Sequence, residues 1–339
     1  MSKTRELADV SLIKSASAPS SPSAGDMWYD TTSSIISNWD GNKWISMTNV
    51  FDATGGTIST YSSGATNYQV HTFTSSGTFT VNSGNAQADL LIVAGGGGGG
   101  ADNAGGGGAG GLLYYGIETP KTPNGTRVNL LTGDYSIVIG AGGRGGLVSS
   151  GGSGTSDFSI NGSNSTAFGY TALGGGAGAC SEGGSGSPPG AAGGSGGGGN
   201  GNTDNTVPLQ PGSGTAGQGN AGGTGANGGG GGGGGAGSVG QNGNVRASQH
   251  GGAGGAGLQY SISGSASWYA AGGDGGNENN NFQQYSRPSG IGGQSPAASN
   301  QRPTDGVANT GAGGGGGTHT CVTPTGQGGS GIVIIRYEV

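Results

Sequence analysis

The sequence predicts an all-β protein: a small N-terminal β-hairpin module, then a β-sandwich-like base that sends out long excursions of polyglycine II helix, the glycine form of polyproline II. Three observations carry that reading. Glycine supplies 89 of 339 residues, while Leu, Ile, Val and Phe together supply 48, too few for an ordinary globular core. Short apolar runs feed directly into glycine runs: Leu90 to Val93 into Gly95 to Gly100, Tyr135 to Ile139 into Gly140 to Gly146, Thr166 to Leu173 into Gly174 to Gly178. At the other end, Gly328-Gly-Ser-Gly331 leads back into Ile332-Val-Ile-Ile-Arg-Tyr337.

Energetics select the glycine conformation. Ordering a backbone residue costs about 1–2 kcal/mol, and glycine sits at the expensive end. Sparse apolar side chains, at ~25 cal/mol per Å² buried, do not offset that. Hydrogen bonds between closely packed backbones must supply the difference. An α-helix loses ~1 kcal/mol per glycine relative to alanine, and glycine weakens strand interiors. Polyproline II remains, with three residues per turn and its backbone groups free to bond sideways. Collagen is excluded, because the chain has 12 prolines and no strict triplet repeat. Stripped of side chains, such helices can share N–H···O bonds and Cα–H···O contacts of ~0.5–1 kcal/mol each. The competing reading is a flexible glycine linker, which the interleaved strand-like islands disfavour.

Residues 1–50 form the N-terminal module. A Ser/Ala/Pro stretch through Pro22 precedes Gly25-Asp-Met-Trp-Tyr-Asp30, then Ile35-Ile-Ser-Asn-Trp39, Asp40-Gly-Asn and Lys43-Trp-Ile-Ser-Met47. Aromatic and β-branched runs around an Asp-Gly turn predict a hairpin. So small a module buries little surface alone, so three copies are expected to pack Trp28, Trp39 and Trp44 together. Residues 51–339 form the second domain, with β-core strands at 68–93, 135–139, 166–173 and 332–337. Tyr68, Val70, Thr72 and Thr74 alternate with Gln69, His71, Phe73 and Ser75, as in antiparallel β-structure. Asp89-Leu-Leu-Ile-Val93 reads as a buried strand, and Leu112 to Tyr115 as a further one.

Charge and motif content exclude several classes. A formal charge of −6 is the wrong sign for nucleic acid. No apolar run approaches the ~20 residues of a membrane span, and Met1 to Ser20 lacks the apolar core of a signal peptide. Cys180 and Cys321 read as free thiols. His71, His250 and His319 are scattered without metal-ligand spacing, so neither a metal nor a cofactor is expected. Gly140-Ala-Gly142-Gly-Arg-Gly145 spells a dinucleotide fingerprint, but Leu147-Val-Ser-Ser-Gly follows where that motif needs a helix. Gly193-Gly-Ser195-Gly-Gly197 spells a nucleophile elbow without its strand and helix. No Gly-Lys dipeptide offers a phosphate loop, and no carboxylate pair suggests acid–base work. The chain is therefore read as non-enzymatic.

Binding, on this reading, lives between the glycine runs. Tyr260, Trp268 and Tyr269, then Asn279, Phe282, Tyr285 and Arg287, supply aromatic, amide and cationic groups of the kind that make adaptable recognition surfaces on a rigid frame. Ordinary loop tips or subunit contacts are the competing account.

With those residues in view, the chain resembles phage tail-fibre proteins bearing a glycine-rich domain. Pro19 to Asp30 with Trp39-Asp-Gly-Asn-Lys-Trp44 looks like a short module near the front of such fibres. Phe73 to Val81, Ala88 to Gly97, Gly133 to Gly143 and Gly331 to Tyr337 look like the glycine-rich domain itself. The resemblance implies a virion location, and the lack of a signal-peptide core suits assembly in the host cytoplasm. The resemblance also implies homotrimers, attachment to tail or baseplate proteins through the N-terminal part, and recognition of a host cell-surface glycan or protein at distal loops. It supplies no catalytic residues. A head-decoration protein and a bacterial extracellular filament are the alternatives.

Overall fold

The computed structural model describes residues 12–47, 51–118, 123–147, 157–180, 188–201, 210–226, 228–244, 250–277, 289–296, 301–318 and 324–339. The described residues hold strands and no helix, so the all-β class predicted from the sequence is the one observed. Two compact units emerge: Met1–Ala53 with Val81–Ala86 and Leu130–Gly133, and Thr54–Thr80 with Gln87–Asn129 and Asp134–Val339.

In the first unit β1 (Leu12–Ser15), β2 (Met27–Asp30), β3 (Ile35–Trp39) and β4 (Trp44–Ser46) form one sheet in that order. β1 runs parallel to β2, and the other pairs are antiparallel. The turns are built by aspartates. Asp30 accepts from the Thr32 N–H at 2.8 Å and the Ser33 hydroxyl at 2.7 Å, while Asp40 Oδ1 accepts from the N–H groups of Asn42 and Lys43, each at 2.8 Å. Short carboxylate side chains competing for local N–H groups in this way are what turn a chain.

The remaining strands are β5 (Asp52–Thr54), β6 (Thr57–Ser63), β7 (Thr66–Phe73), β8 (Gly77–Ser83), β9 (Ala86–Val93), β10 (Leu112–Tyr115), β11 (Pro123–Gly125), β12 (Val128–Leu130), β13 (Gly133–Ile137), β14 (Ser165–Ala167), β15 (Tyr170–Ala172), β16 (Leu258–Tyr260), β17 (Ser267–Tyr269) and β18 (Ile332–Glu338). The main sheet is ordered β11-β10-β9-β18-β7-β6, with β12 also on β9. Its two continuous apolar runs, β9 and β18, take the centre, where both faces are covered: residues 88–93 and 332–337 are all buried. The Thr/Ser-rich β6 takes an edge and stays largely exposed. β18 is antiparallel to both neighbours, and Ile334 faces Leu91 on one side and Thr72 on the other. A second sheet runs β13-β8-β5, and β14–β15 and β16–β17 are separate hairpins. The core joins Val70, Leu91, Leu112, Tyr114, Tyr260, Ile262, Tyr269 and Ile334.

Between the strands run glycine segments that belong to no strand, and their hydrogen bonds repeat every third residue. Along residues 95–100, Gly95 and Gly98 donate to Ser163 and Ile160, Gly96 and Gly99 to Gly329 and Gly326, and Gly97 and Gly100 to Gly108 and Gly105. Each successive N–H thus points to a different neighbour, and every third returns to the same one. That is the bonding arithmetic of three residues per turn.

The segment 104–111 shows how far this extends. It donates to residues 311–317, 173–179 and 231–234, and accepts from 94–100, 195–198 and 273–276, six neighbouring segments in all. Segment 230–235 is surrounded in the same manner: it donates toward 273–276, 196–199 and 238–241, and accepts from 106–109, Gly223 and 252–255. The glycines make this approach necessary. A Cβ built on Gly107 would lie 2.1 Å from the Gly97 carbonyl oxygen, and one on Gly233 2.0 Å from that of Gly107.

Candidate functional site

Chain direction through the bundle defines two ends. Residues 94–100 leave the sheet from β9, turn at Ala101 to Asn103, and return as 104–111 into β10. The turn therefore marks the end away from the sheet. Asp102 and Asn103 take φ of 67° and 47° there, the left-handed region that asparagine and aspartate tolerate best.

Other segments can be oriented against this pair. Residues 143–146, 175–178 and 314–317 run parallel to 96–100, and 195–198 run antiparallel to 104–111. Gly201 donates to the Asn103 carbonyl at 2.7 Å, and Gly276 to that of Ala104 at 2.7 Å. Leu147, Cys180, Gly201, Asn277 and Thr318 consequently all lie toward the far end, and after each of them the chain leaves the described residues. The bundle gathers these five points of departure toward one pole.

The opposite, sheet pole holds a buried ionic network. Asp89 is fully buried on β9 and Arg336 nearly so on β18. Arg336 Nε donates to Asp89 Oδ2 at 2.8 Å, and a second guanidinium N–H reaches the same oxygen. Arg336 Nη1 also donates to the Tyr61 hydroxyl at 2.8 Å and to Glu118 at 3.2 Å. Arg127 Nε donates to Asp89 Oδ1 at 2.9 Å, and its Nη1 pairs with Glu338 at 2.9 Å. Burial alone would lower the Arg336 pKa, but the Asp89 carboxylate and the Tyr61 hydroxyl outweigh it and hold the guanidinium above the ordinary arginine range. The network ties β9 to β18 and so fixes their register; Asp89 and Arg336 are buried at its centre, while Glu338 at its rim is 51% exposed.

The model of a glycine-rich domain matches residues 72–338. The chain belongs to that family. The matched span begins in β7 and ends on the last residue of β18, two strands paired directly in the main sheet. No curated protein matches the chain.

Within the glycine-rich domain, the structure describes three of the residues expected to bind, Tyr260, Trp268 and Tyr269. Tyr260 and Tyr269, on β16 and β17, are core residues at the sheet pole: Tyr260 is fully buried with its ring centroid 4.6 Å from that of Tyr114, and Tyr269 is 4% exposed. Trp268 between them is half-buried. The hairpin thus spends its two tyrosines on packing. Asn279, Phe282, Tyr285 and Arg287 lie outside the described residues.

In the N-terminal unit the three tryptophans gather within one chain. Trp44 lies 5.6 Å from Trp28 and 5.4 Å from Trp39, centroid to centroid, because Trp39 and Trp44 are registered partners flanking the Asp40 turn. All three remain half-buried.

The motif look-alikes dissolve into the bundle. Ser195 is fully buried and its N–H donates to the Ala109 carbonyl at 2.9 Å. Gly143 donates to Gly96 and Gly146 to Gly99, so the apparent fingerprint is another packed segment. Cys180 is buried, its sulfur accepting from the Ala101 N–H at 3.3 Å; Cys321 and His319 lie outside the described residues. Among the described residues no three His, Cys, Asp or Glu side chains converge as a metal site would require, and no helix is long and apolar enough to cross a membrane.

Proposed function

We propose that the chain is a structural, non-catalytic virion protein, a subunit of a phage tail fibre or adhesin. In this reading its glycine segments are polyglycine II helices stacked in a hexagonal array, and the array acts as a stiff spacer. The observation that supports it is the three-residue hydrogen-bond period with six bonded neighbours around residues 104–111. Such a lattice resists bending because each backbone is tied in several directions at once, and its strength comes from many modest bonds of ~0.5–1.5 kcal/mol.

Segments departing from a common pole of a rigid frame suit recognition, so host contact is assigned to that pole, with a cell-surface glycan or protein as partner. The N-terminal unit, with its tryptophan-lined sheet, is assigned to attachment on tail or baseplate proteins and to assembly of three copies.

The test is made on particles. Residues 278–288 are replaced by a Gly-Ser stretch of equal length, which spares the bonded segments on either side. Particles should still carry the chain, by immunogold labelling, and adsorb to host cells more slowly. Absence of the chain from wild-type particles would overturn the virion assignment. Unchanged adsorption by the variant would overturn the assignment of recognition to that segment.

A further inference from the structure

Beside the main sheet lies an open cleft of about 760 Å³, large enough for a short oligosaccharide. Its lining residues, drawn from around β12, β13 and the β14–β15 hairpin, all belong to the larger unit. The hairpin presents two aromatic rings to it. Phe168 and Gly169 form a two-residue turn with φ of 53° and 81°, the geometry of a tight hairpin loop whose first position normally favours Asn, Asp or Gly. A phenylalanine there carries backbone strain, and strain that persists points to a use for the side chain. The Phe168 ring packs 4.5 Å from that of Tyr135, which also lines the cleft. Tyr170, 36% exposed, is stacked on Tyr115 at 4.1 Å with 25° between planes, so one face of an accessible ring is held in place in advance of any ligand.

Polar groups stand around these rings with bonding capacity to spare. Asp134 Oδ1 accepts from Thr80 at 2.7 Å, and its second oxygen has no partner among the described residues. The Asn129 amide and the Ser136 and Thr171 hydroxyls likewise stand exposed without side-chain partners. A fixed aromatic plane beside a carboxylate, an amide and hydroxyls matches a sugar ring, which offers a C–H face for stacking and adjacent hydroxyls that both donate and accept. Charge narrows the class. Arg127 also lines the cleft and its Nη2 has no partner among the described residues, but its charge is balanced by Asp89 and Glu338, so Asp134 leaves the cleft anionic and repels acidic sugars.

We infer that this cleft is a binding site for a neutral oligosaccharide, with Tyr170 as its stacking platform and Asp134 and Asn129 as its hydroxyl readers. The inference concerns the sheet pole and is independent of the role proposed for residues 278–288 and of the virion assignment.

The experiment uses the purified full chain and saturation-transfer NMR with maltotriose, cellotriose, chitotriose and, as the charged control, trigalacturonate. At least one neutral trisaccharide should bind, with saturation strongest on its ring C–H protons, and trigalacturonate should bind more weakly. Tyr170→Ala should weaken the neutral ligand about tenfold, the worth of one aromatic contact. Asn129→Ala should weaken it as well, and since both residues are exposed the melting temperature should stay that of wild type. The inference is overturned if no neutral trisaccharide binds, if trigalacturonate binds equally tightly, or if both variants bind as wild type does.

Discussion

Asp89 and Arg336 are registered partners on adjacent central strands, 247 residues apart in sequence, and form a buried ion pair. Their charges sit inside two largely apolar strands, and each carries a desolvation cost that its ion-pair partners offset. Removing one partner leaves the other stranded. Asp89→Leu is therefore expected to cost about 3–5 kcal/mol, since it abandons two arginines at once, and Arg336→Met somewhat less. The double variant should recover a good part of the loss, because an apolar pair suits that environment. Arg127→Met, at a side chain 17% exposed, should be mildest. Denaturant midpoints of the four variants check the order.

His71 makes the fold sensitive to mild acid. It is fully buried on β7, its Nδ1–H donating to the Gly55 carbonyl at 2.7 Å and its Nε2 accepting from the Tyr337 hydroxyl at 2.9 Å. The Gln69 amide at 3.2 Å and the edge of the Phe79 ring complete its surroundings. Burial lowers its pKa, and the Gly55 bond only partly opposes that. The folded protein thus refuses a proton that the unfolded chain accepts near pH 6.5. Stability contributed by the neutral ring is complete above that pH and falls as pH drops toward the folded pKa, by at most about 1.4 kcal/mol per pH unit. His71→Gln should flatten the dependence of the denaturation midpoint between pH 7 and 5, at some cost in stability at neutral pH.

Trp44 is the hinge of the tryptophan cluster, since it alone touches both of the others. Trp44→Ala should destabilise the N-terminal unit by about 1–3 kcal/mol, more than Trp28→Ala or Trp39→Ala. Analytical ultracentrifugation of the same variants separates two roles. Loss of trimers by variants whose sheet still melts cooperatively would place the rings in an interface; unchanged mass would confine them to the module.

The central strands were legible in the sequence because β9 and β18 carry the unbroken apolar runs Leu90 to Val93 and Ile332 to Ile335, and burial on both faces requires that pattern. The Asp40 turn was legible because Asp-Gly between aromatic runs has few other uses. Partners were not legible. Asp89 and Arg336 each stand as an isolated charge beside an apolar run in the sequence, and the one signal of their pairing is that an acid and a base occupy the two most apolar strands. Tyr260 and Tyr269, expected as binding candidates, pack into the core, and a three-residue strand carries too short an alternation to say which face is covered. The cleft residues Asp134, Phe168 and Tyr170 gave no signal, because three separate elements meet there. The order of packing among glycine segments was also hidden. Backbones without side chains carry no label for their neighbours, and the apolar strands at one pole set that order.

The bundle itself can be tested at its centre. Gly107 donates to Gly314, accepts from Gly273, and has the Gly97 carbonyl 2.1 Å from where a methyl group would stand. The obstacle is backbone on a neighbouring segment that is itself bonded on all sides, so no side chain can rotate away. Gly107→Ala is expected to cost about 3 kcal/mol or more. The comparison is Gly64→Ala, where φ is +61° and nothing lies within 4 Å, so only the left-handed backbone penalty of ~1–2 kcal/mol applies. Hydrogen exchange on the wild-type chain gives the complementary reading. The amides of Gly106, Gly107 and Gly233, bonded inside the array, should exchange with the slowest class, alongside those of β9 and β18. If these amides exchange as freely as those of an unstructured glycine chain, the ordered array is wrong, whatever the strands at its base are doing.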